Sequence, residues 1–236
     1  MTKFKKFRAK YFKMIFGVVS EVQMRRADMS RRNEARAKLT KKHLKDKPKK
    51  GVKMAIISVA IDKSYRILNH GATTIVSAEF DGVANAMAVT WACPLDYDKV
   101  TIVPHNGSFT RTLIEKSGYF AVQIPVATQK DLLLNLGDEN NSRFDNPNKM
   151  DGVKLFYKEG FDVPLIDGCA AWIICKVIPE PHNEQTYDLF IGQVVAAYAD
   201  DRVFDGGHWL FDEVSDDLKT LHYVAGKKFY LDGKGV

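Results

Sequence analysis

The run from Asn106 to Arg111 has the residue types of an anion site. It places Gly107, two hydroxyls (Ser108 and Thr110) and a cation where a helix is predicted to begin. The first turn of a helix has unpaired backbone N–H groups and the positive end of the helix dipole, and both attract anions. Arg111 adds a charge that can clamp an oxyanion. The spacing therefore predicts a site for a phosphate group.

The segment just before this run suggests what carries the phosphate. Residues 85–91 are predicted to form a strand of small side chains with Met87 and Trp91, so the backbone can lie close to a flat ligand. Together the two features indicate a phosphorylated planar cofactor, with flavin mononucleotide (FMN) as the leading candidate. From the residues alone, Met87 and Trp91 are better explained as core residues, and Ser108 and Thr110 can be simple helix caps beside a solvated Arg111.

The elements that position these residues are mostly strands. Asp81-Gly82 is a strong hairpin signal, and β-branched or aromatic segments bounded by turn residues follow one another at short spacing. Helices are predicted at 108–117 and 129–136, and a polar loop at 140–149. This pattern favours a mainly β fold, a barrel with Greek-key links and a few short helices. Strands are predicted at 54–59, 73–80, 85–91, 100–104, 120–124, 170–178 and 187–198.

Charge divides the chain of 236 residues into two parts. Its net charge is +6, but residues 1–53 hold 19 Lys/Arg against 4 Asp/Glu, whereas residues 54–236 hold 16 against 25. A basic extension, helical or disordered, is therefore predicted to precede one acidic domain over 54–236. The 45% apolar content of the full chain is enough for a real core.

The basic extension has three possible explanations. Apolar residues at helical spacing from Phe4 to Val18, with Lys and Arg between them, suit a membrane-surface helix, and the charge also suits a nucleic-acid-binding arm. Alternatively the true start is Met54, because residues 49–53 can be encoded by a purine-rich sequence resembling a ribosome-binding site. N-terminal mass determination on native protein would distinguish a start at Met1 from one at Met54.

The spacing of the cysteines and histidines gives little support for a metal site or a disulfide. Cys93, Cys169 and Cys175 form no CxxC pair, and the six histidines lack the HExxH spacing. We expect the cysteines to be small buried hydrophobes in a cytoplasmic protein without a metal site.

Four stretches, in the same order, resemble the flavin reductase family, the FMN-binding split barrels that include flavoredoxins. They are Asn85-x-Met87-x-x-Thr90-Trp91, the 106–111 loop, the strand region 187–198 and the aromatic–glycine segment 221–230. The resemblance covers almost all of 54–236. Two details depart from the family: Ala88 stands where Thr is usual, and the loop 141–150 lacks a Gly and carries Pro147, although Ser142, Arg143 and Lys149 still align.

The resemblance implies roles for these positions. Residues of the helix start and Lys149 would hold the flavin phosphate, the 85–91 strand would contact the isoalloxazine, and Tyr187 with a closing aromatic would lie near it. The predicted cofactor-binding residues are Asn85, Met87, Ala88, Val89, Thr90, Trp91, Asn106, Ser108, Thr110, Arg111, Lys149, Tyr187, Tyr223 and Phe229.

The implied reaction is hydride transfer from NAD(P)H to FMN (or FAD), with electrons passing to an unknown acceptor. Such chemistry needs no catalytic residue of the protein, which agrees with the lack of a visible triad, and no GxGxxG nicotinamide fingerprint occurs. His105 and His222 are candidates to steer NAD(P)H. The alternatives are a non-enzymatic FMN electron carrier or flavin sensor, and a nucleic-acid or membrane-surface protein built on the extension. The family also implies a homodimer.

Overall fold

The computed structural model describes residues 55–68, 71–224 and 226–236, which form a mainly β domain. The predicted extension and the strand start at Met54 lie outside the described residues. The elements are β1 (Ile56–Val59), β2 (Thr74–Phe80), β3 (Val83–Val89), β4 (Ala92–Asp96), β5 (Lys99–Ile102), α1 (Phe109–Ser117), β6 (Tyr119–Ile124), α2 (Lys130–Leu136), β7 (Leu155–Phe156), β8 (Leu165–Ile166), β9 (Ala171–Ile178), α3 (Pro181–Thr186), β10 (Phe190–Asp200), β11 (Phe204–Asp205), β12 (His208–Trp209), β13 (Leu221–Tyr223) and β14 (Phe229–Leu231), with 3₁₀ turns at Ile61–Ile67, Ala127–Gln129 and Asp216–Leu218.

The main sheet is antiparallel and runs in the order β3-β2-β6-β9-β10-β5-β4. The long strand β10 carries both β5, along its first half, and β1, along its last four residues. A bulge between Val194 and Ala196 bends β10 between these two pairings. The order of strands differs from the order in sequence, as in a Greek key.

The chain connection from β3 to β4 closes the sheet into a split barrel. These two strands are the opposite ends of the sheet path, yet only Thr90 and Trp91 separate them in sequence. Two residues can span no more than roughly 11 Å between the flanking Cα atoms. The sheet must therefore curl until its two edges come together. The predicted mainly β split barrel is confirmed.

Both faces of the central strands are buried. In β9, Ile173 and Cys175 point into the barrel interior, while Trp172 and Ile174 pack with α2 and the segment around β8 on the other face. This alternation is the period-2 geometry of a strand between two apolar layers. On β10, Gly192 leaves room for Phe120, because a Cβ there would lie 2.5 Å from the Phe120 ring.

Most predicted elements are confirmed within two or three residues. The Asp81-Gly82 hairpin has positive φ at both turn residues, and the helices 108–117 and 129–136 are found as α1 and as a 3₁₀ turn leading into α2. Two strands differ from their predicted bounds by two to three residues. The strand 85–91 is shifted to Val83–Val89, and the strand 187–198 begins only at Phe190, because α3 precedes it. No helix among the described residues is long and apolar enough to cross a bilayer.

Candidate cofactor site

The first turn of α1 organises the site. Ser108 is its N-cap, and the Ser108 hydroxyl accepts a hydrogen bond from the Arg111 N–H at 3.4 Å. The helix ends at Gly118, whose left-handed conformation (φ 70°) lets its N–H bond the Ile114 carbonyl. Consecutive helical side chains point about 100° apart. Phe109, Thr110 and Arg111 consequently contact three different segments.

Phe109 contacts the polar loop 140–149. Its ring meets the ring of Phe144 edge-on, with centroids 5.0 Å apart, and the Arg143 guanidinium lies 5.9 Å from the Phe109 ring centre. These aromatic and cation–π contacts hold the loop against the helix start. The aligned cation Arg143 is thereby placed beside the predicted phosphate site.

Lys149, at the end of this loop, is the most unusual cation of the site. It is only 7% exposed, and its ammonium donates to the Leu136 carbonyl at the end of α2, 3.3 Å away. No carboxylate of the described residues forms a salt bridge with it. Burial, and next the like charge of Arg143, lower the pKa of Lys149, with Asp138 acting weakly the other way. A buried ammonium therefore has a second, half-buried cation near it, which is unfavourable until an anion joins them.

Thr110 joins α1 to β3. It is fully buried, and its hydroxyl accepts a 2.9 Å hydrogen bond from the Asn85 amide. Both residues were predicted to contact the cofactor, but here they bind each other. The Asn85 Oδ1 is buried without a hydrogen-bond partner among the described residues. A buried acceptor without a donor is costly, so this atom has capacity for a ligand hydroxyl or N–H.

Arg111 was predicted to clamp the phosphate, and the structure places its guanidinium elsewhere. The side chain is 8% exposed and forms ion pairs with Glu115 and Asp188. It also donates to the Glu184 carbonyl at 2.7 Å and lies 5.3 Å from the centre of the Phe190 ring. All three donor nitrogens are thus used within the chain. Two of them pair with the carboxylates and the third donates to the carbonyl. A phosphate role for this side chain would require breaking those contacts.

Strand β3 offers the backbone that the flavin ring was predicted to use. In the described part of the chain β3 pairs only with β2, so one backbone edge is unpaired. Ala88 lies under the end of α2, where a Cβ on Gly137 would come within 3.1 Å of the Ala88 Cβ. Val89 is buried in the barrel, Met87 partly so. Thr90 is exposed, and Trp91 is 72% exposed beyond the strand, so neither is a core residue.

The β13–β14 hairpin brings the closing aromatics to the same end of the barrel. Tyr223 and Phe229 are cross-strand partners with ring centres 5.4 Å apart. The Tyr223 N–H donates to the Thr73 hydroxyl, just before β2, at the point where β2 pairs with the end of β3. Tyr223 is 44% exposed, so its ring is available to a ligand.

His222 secures this hairpin. Its Nε2 lies 2.8 Å from the Asp232 carboxylate, and Thr220 donates to the same carboxylate. The Asp232 hydrogen bond, opposed by burial and supported by a bond to the Gly71 backbone, raises the pKa of His222. Burial works against ionisation of Asp232, but its bonds from His222 and Thr220 prevail and lower its pKa. His222 thus has a structural partner, and His105 is exposed next to the α1 cap.

The remaining predicted residues are peripheral. Asn106 is exposed in the turn before α1, and Tyr187 follows α3, 60% exposed, in edge contact with His182. Sequence reasoning missed Phe109 and Phe144, although an aromatic next to a helix cap and another in a polar loop were visible signals. It also missed α3, because a helix of six residues is too short to show an apolar periodicity. The one sequence signal for this helix was Pro181 at its first position.

The structure also shows where the cysteines and the possible metal ligands lie. Cys169 and Cys175 are buried as expected, and burial raises the pKa of the Cys169 thiol to about 12. The prediction was wrong for Cys93, which is exposed on the edge strand β4. The described residues contain no group of three or more His, Cys, Asp or Glu placed to hold a metal ion.

A cleft of about 530 Å³ lies at the other end of α1 and has the opposite chemistry. It is bordered by Glu79, Asp81, Asp162 and Lys116, with Phe80 and Phe161 beside them. Acids outnumber cations there, so it does not suit a dianionic phosphate. The predicted anion site is therefore at the N-terminal end of the helix and not in this cleft.

Comparison with known proteins agrees with this fold. The flavin reductase like domain family matches residues 67–228, and the chain belongs to this family. It is 33% identical over 186 residues to the uncharacterized protein YddH of Escherichia coli (strain K12), covering 76% of this chain and 96% of YddH.

Solved structures give the same result. An FMN-binding domain of a flavin reductases-like enzyme from Shewanella baltica OS155 is 44% identical, with a TM-score of 0.76 over 78% of this chain and 98% of that one. A flavoredoxin from Methanosarcina acetivorans is 20% identical, with a TM-score of 0.56 over 70% of this chain and 86% of that one, and so shares the fold.

Proposed function

We propose that this protein binds FMN and transfers hydride from NAD(P)H to it, passing the electrons on to a further acceptor. The observation that carries the proposal is Lys149, a buried ammonium that donates to a backbone carbonyl and has a second cation, Arg143, nearby. A phosphate would neutralise both charges and accept their hydrogen bonds. The 44% identical Shewanella baltica domain, which is described as FMN-binding, supports the choice of cofactor.

The residues around Lys149 fit the rest of this cofactor. Ser108 and the unpaired N–H groups of the first turn of α1 would add donors to the phosphate. The free backbone edge of β3 and the orphaned Asn85 Oδ1 would bond polar atoms of the cofactor. Phe109 and Phe144 would shield the phosphate from water, which strengthens each charged contact.

In this proposal the protein acts by alignment. Bound FMN would supply the redox chemistry, accepting a hydride from the nicotinamide. Strand β3 would fix one ring edge, and the hairpin aromatics Tyr223 and Phe229 would border the ring, with Tyr223 44% exposed. Orientation of two rings can account for a large part of such a rate enhancement, without a protein acid or base.

The test is an anaerobic titration of the purified full chain loaded with FMN. NADH or NADPH should bleach the oxidised flavin absorbance, and catalytic NAD(P)H oxidation should follow when acceptor is added. A protein that binds FMN but leaves it oxidised would contradict the reductase proposal and favour an electron carrier or flavin sensor. A protein that binds no FMN would contradict both.

We also propose that the protein acts as a homodimer. The support is an apolar surface at the barrel split. Trp91 (72% exposed) directly precedes edge strand β4, and Leu95 (54% exposed) lies on it. Isolated apolar side chains are ordinary, but a large aromatic next to an unpaired strand edge is typical of an interface. A Trp91→Lys variant should sediment as a monomer where the wild type sediments as a dimer; an unchanged dimer would contradict this face.

A further inference from the structure

One carboxylate joins the two strands of the β13–β14 hairpin at its base. Asp232, the residue after β14, accepts a 2.6 Å hydrogen bond from the Thr220 hydroxyl and lies 2.8 Å from the Nε2 of His222 in β13. His222 also bonds the backbone of Gly71, ahead of β2. The His222 and Asp232 side chains are 27% and 14% exposed, so salt and water screen their attraction less than that of a surface pair. The position of the hairpin therefore depends on this pair.

The same hairpin is bonded to the start of β2. The Thr73 N–H donates to the Leu221 carbonyl at 2.8 Å, and the Tyr223 N–H donates to the Thr73 hydroxyl at 3.1 Å. The next residue, Thr74, pairs with Val89 at the end of β3, and its hydroxyl donates to the Val89 carbonyl at 2.6 Å. A shift of the hairpin would therefore move its aromatics relative to the backbone edge that we propose for the flavin ring.

The turn of the hairpin lies near the cation of the candidate phosphate site. Asp138, just after α2, senses both: its hydrogen bonds from Asn140, and then the charges of Lys227 in the turn and of Lys149, lower the pKa of Asp138. The hairpin thus extends from the end of β3 towards the side where Lys149 is buried. Its two aromatics lie between these points.

His222 is the member of the pair that changes charge near neutral pH. Carboxylates, amines and phenols ordinarily ionise outside pH 5 to 8, whereas histidine ionises within that range. The Asp232 hydrogen bond, opposed by burial, raises the pKa of His222. The charged pair is therefore complete below 6.5 and is lost as pH rises through the folded pKa of His222. The other titratable side chains around the pair are Lys219, Asp212, Asp216, Lys234 and, opposite His222 on β14, Tyr230.

We propose that His222 and Asp232 are positioning residues of the flavin site, and that flavin binds more tightly when His222 is protonated, because the charged pair holds the hairpin aromatics beside the isoalloxazine. The inference rests on the proposed function, since it assigns a pH dependence to that cofactor site. A hairpin already held in place loses less entropy when a ring packs against Tyr223 and Phe229. His222 would then act through these aromatics and not by contact with NAD(P)H.

Riboflavin is the probe that isolates this effect. The phosphate of FMN changes its own charge at a pH of about 6 and would contact Lys149, so FMN affinity has a second source of pH dependence. Riboflavin has the same ring without the phosphate. Its Kd is measured by fluorescence quenching between about pH 5.5 and 8.5 with the full chain, for the wild type, His222→Asn and Asp232→Asn. His182→Asn is the matched control, because His182 is an exposed histidine on α3.

The expected result is a Kd for riboflavin that rises about threefold to fivefold with pH in the wild type, the scale of one partly buried ion pair. His222→Asn and Asp232→Asn should give flat profiles close to the high-pH value of the wild type. His182→Asn should keep the wild-type profile.

The same coupling can be measured from the side of the proton. If flavin prefers the protonated form, bound flavin must hold that proton more tightly, because coupling between two binding events is reciprocal. An NMR titration of the His222 ring should therefore have its midpoint at a higher pH with saturating riboflavin than without it. A contact that only stabilises the fold would leave the midpoint unchanged.

Three results would overturn the proposal: a flat riboflavin profile in the wild type, a slope that persists in His222→Asn, or a His222 midpoint that riboflavin does not move. Each of these leaves the proposed function intact if FMN binds and is reduced. A wild type that binds neither flavin would instead overturn the proposed function and this proposal together.

Discussion

The two sides of the α1 start use their cations in opposite ways. On one side, Arg111 is surrounded by acceptors from Glu115, Glu184 and Asp188. On the other, Lys149 is equally buried, donates to the Leu136 carbonyl and forms no salt bridge with a carboxylate of the described residues, while Arg143 and, more weakly, Asp138 act on its charge in opposite directions. Both were predicted from sequence to hold the same phosphate.

The difference shows how a structural cation can be told from a binding one. A buried charge whose donors are satisfied within the chain stabilises the fold, and a ligand would have to displace its partners. A buried charge without an acid partner lowers stability until a ligand arrives. By this criterion we propose that Arg111 stabilises the fold and that Lys149 is the cation that binds an anion.

The largest expected effect that tests this contrast is on FMN affinity. Lys149→Met should raise the Kd for FMN by about 100-fold, because it removes a desolvated charge-assisted bond to the phosphate. Fluorescence quenching of FMN on titration with protein measures this. Lys234→Met, a change on the exposed C-terminal tail, is the control and should leave Kd unchanged. A Lys149→Met protein that binds FMN as tightly as the wild type would contradict the distinction between Arg111 and Lys149.

The second effect is on stability and has opposite signs at the two cations. Arg111→Gln should lower the free energy of unfolding by about 2 kcal/mol, since two acids and a carbonyl lose their donor. Lys149→Met should leave the FMN-free protein as stable as the wild type or more so, because it removes a desolvation cost. Urea unfolding of the FMN-free proteins measures both. Equal losses in the two variants would contradict the distinction.

The smallest effect concerns His222, a third charged group at this end of the barrel. Its folded pKa is raised above 6.5, so its contribution is complete below that value and is lost as pH rises through the folded pKa. Asp232 has a lowered pKa, so its contribution is lost only when pH falls through that value, below 3.8. His222→Asn should cost about 1 kcal/mol of unfolding free energy near pH 5.5 and less at high pH. A cost that does not change with pH would show that the contact is not ionic.

The sequence was sufficient to predict most of the longer elements, because each of these had a local signal. The Asp81-Gly82 turn, the Ser108 cap and Gly118 specify their structures within a few residues. The many short strands then favoured a barrel. The shift of β3 and the omission of α3 have a different cause. The ends of a strand and the formation of a six-residue polar helix depend on tertiary contacts, which have no local sequence signal.

The candidate site was predicted by residue type, and residue type does not determine partners. Thr110 has the hydroxyl expected of a phosphate ligand, but the fold brings Asn85 to it from a strand 25 positions away. Arg111 likewise meets Asp188 across 77 positions. Contacts over such separations have no local signal, whereas Lys149 was identified only through its alignment with the family loop.

The central claim, that the phosphate binds on the Lys149 side, is tested most directly by comparing FMN with riboflavin, which lacks the phosphate. The ratio of their dissociation constants should be large in the wild type, persist in Arg111→Gln, and fall towards one in Lys149→Met, because only the phosphate contact distinguishes the two ligands. A ratio that falls in Arg111→Gln and persists in Lys149→Met would contradict the account.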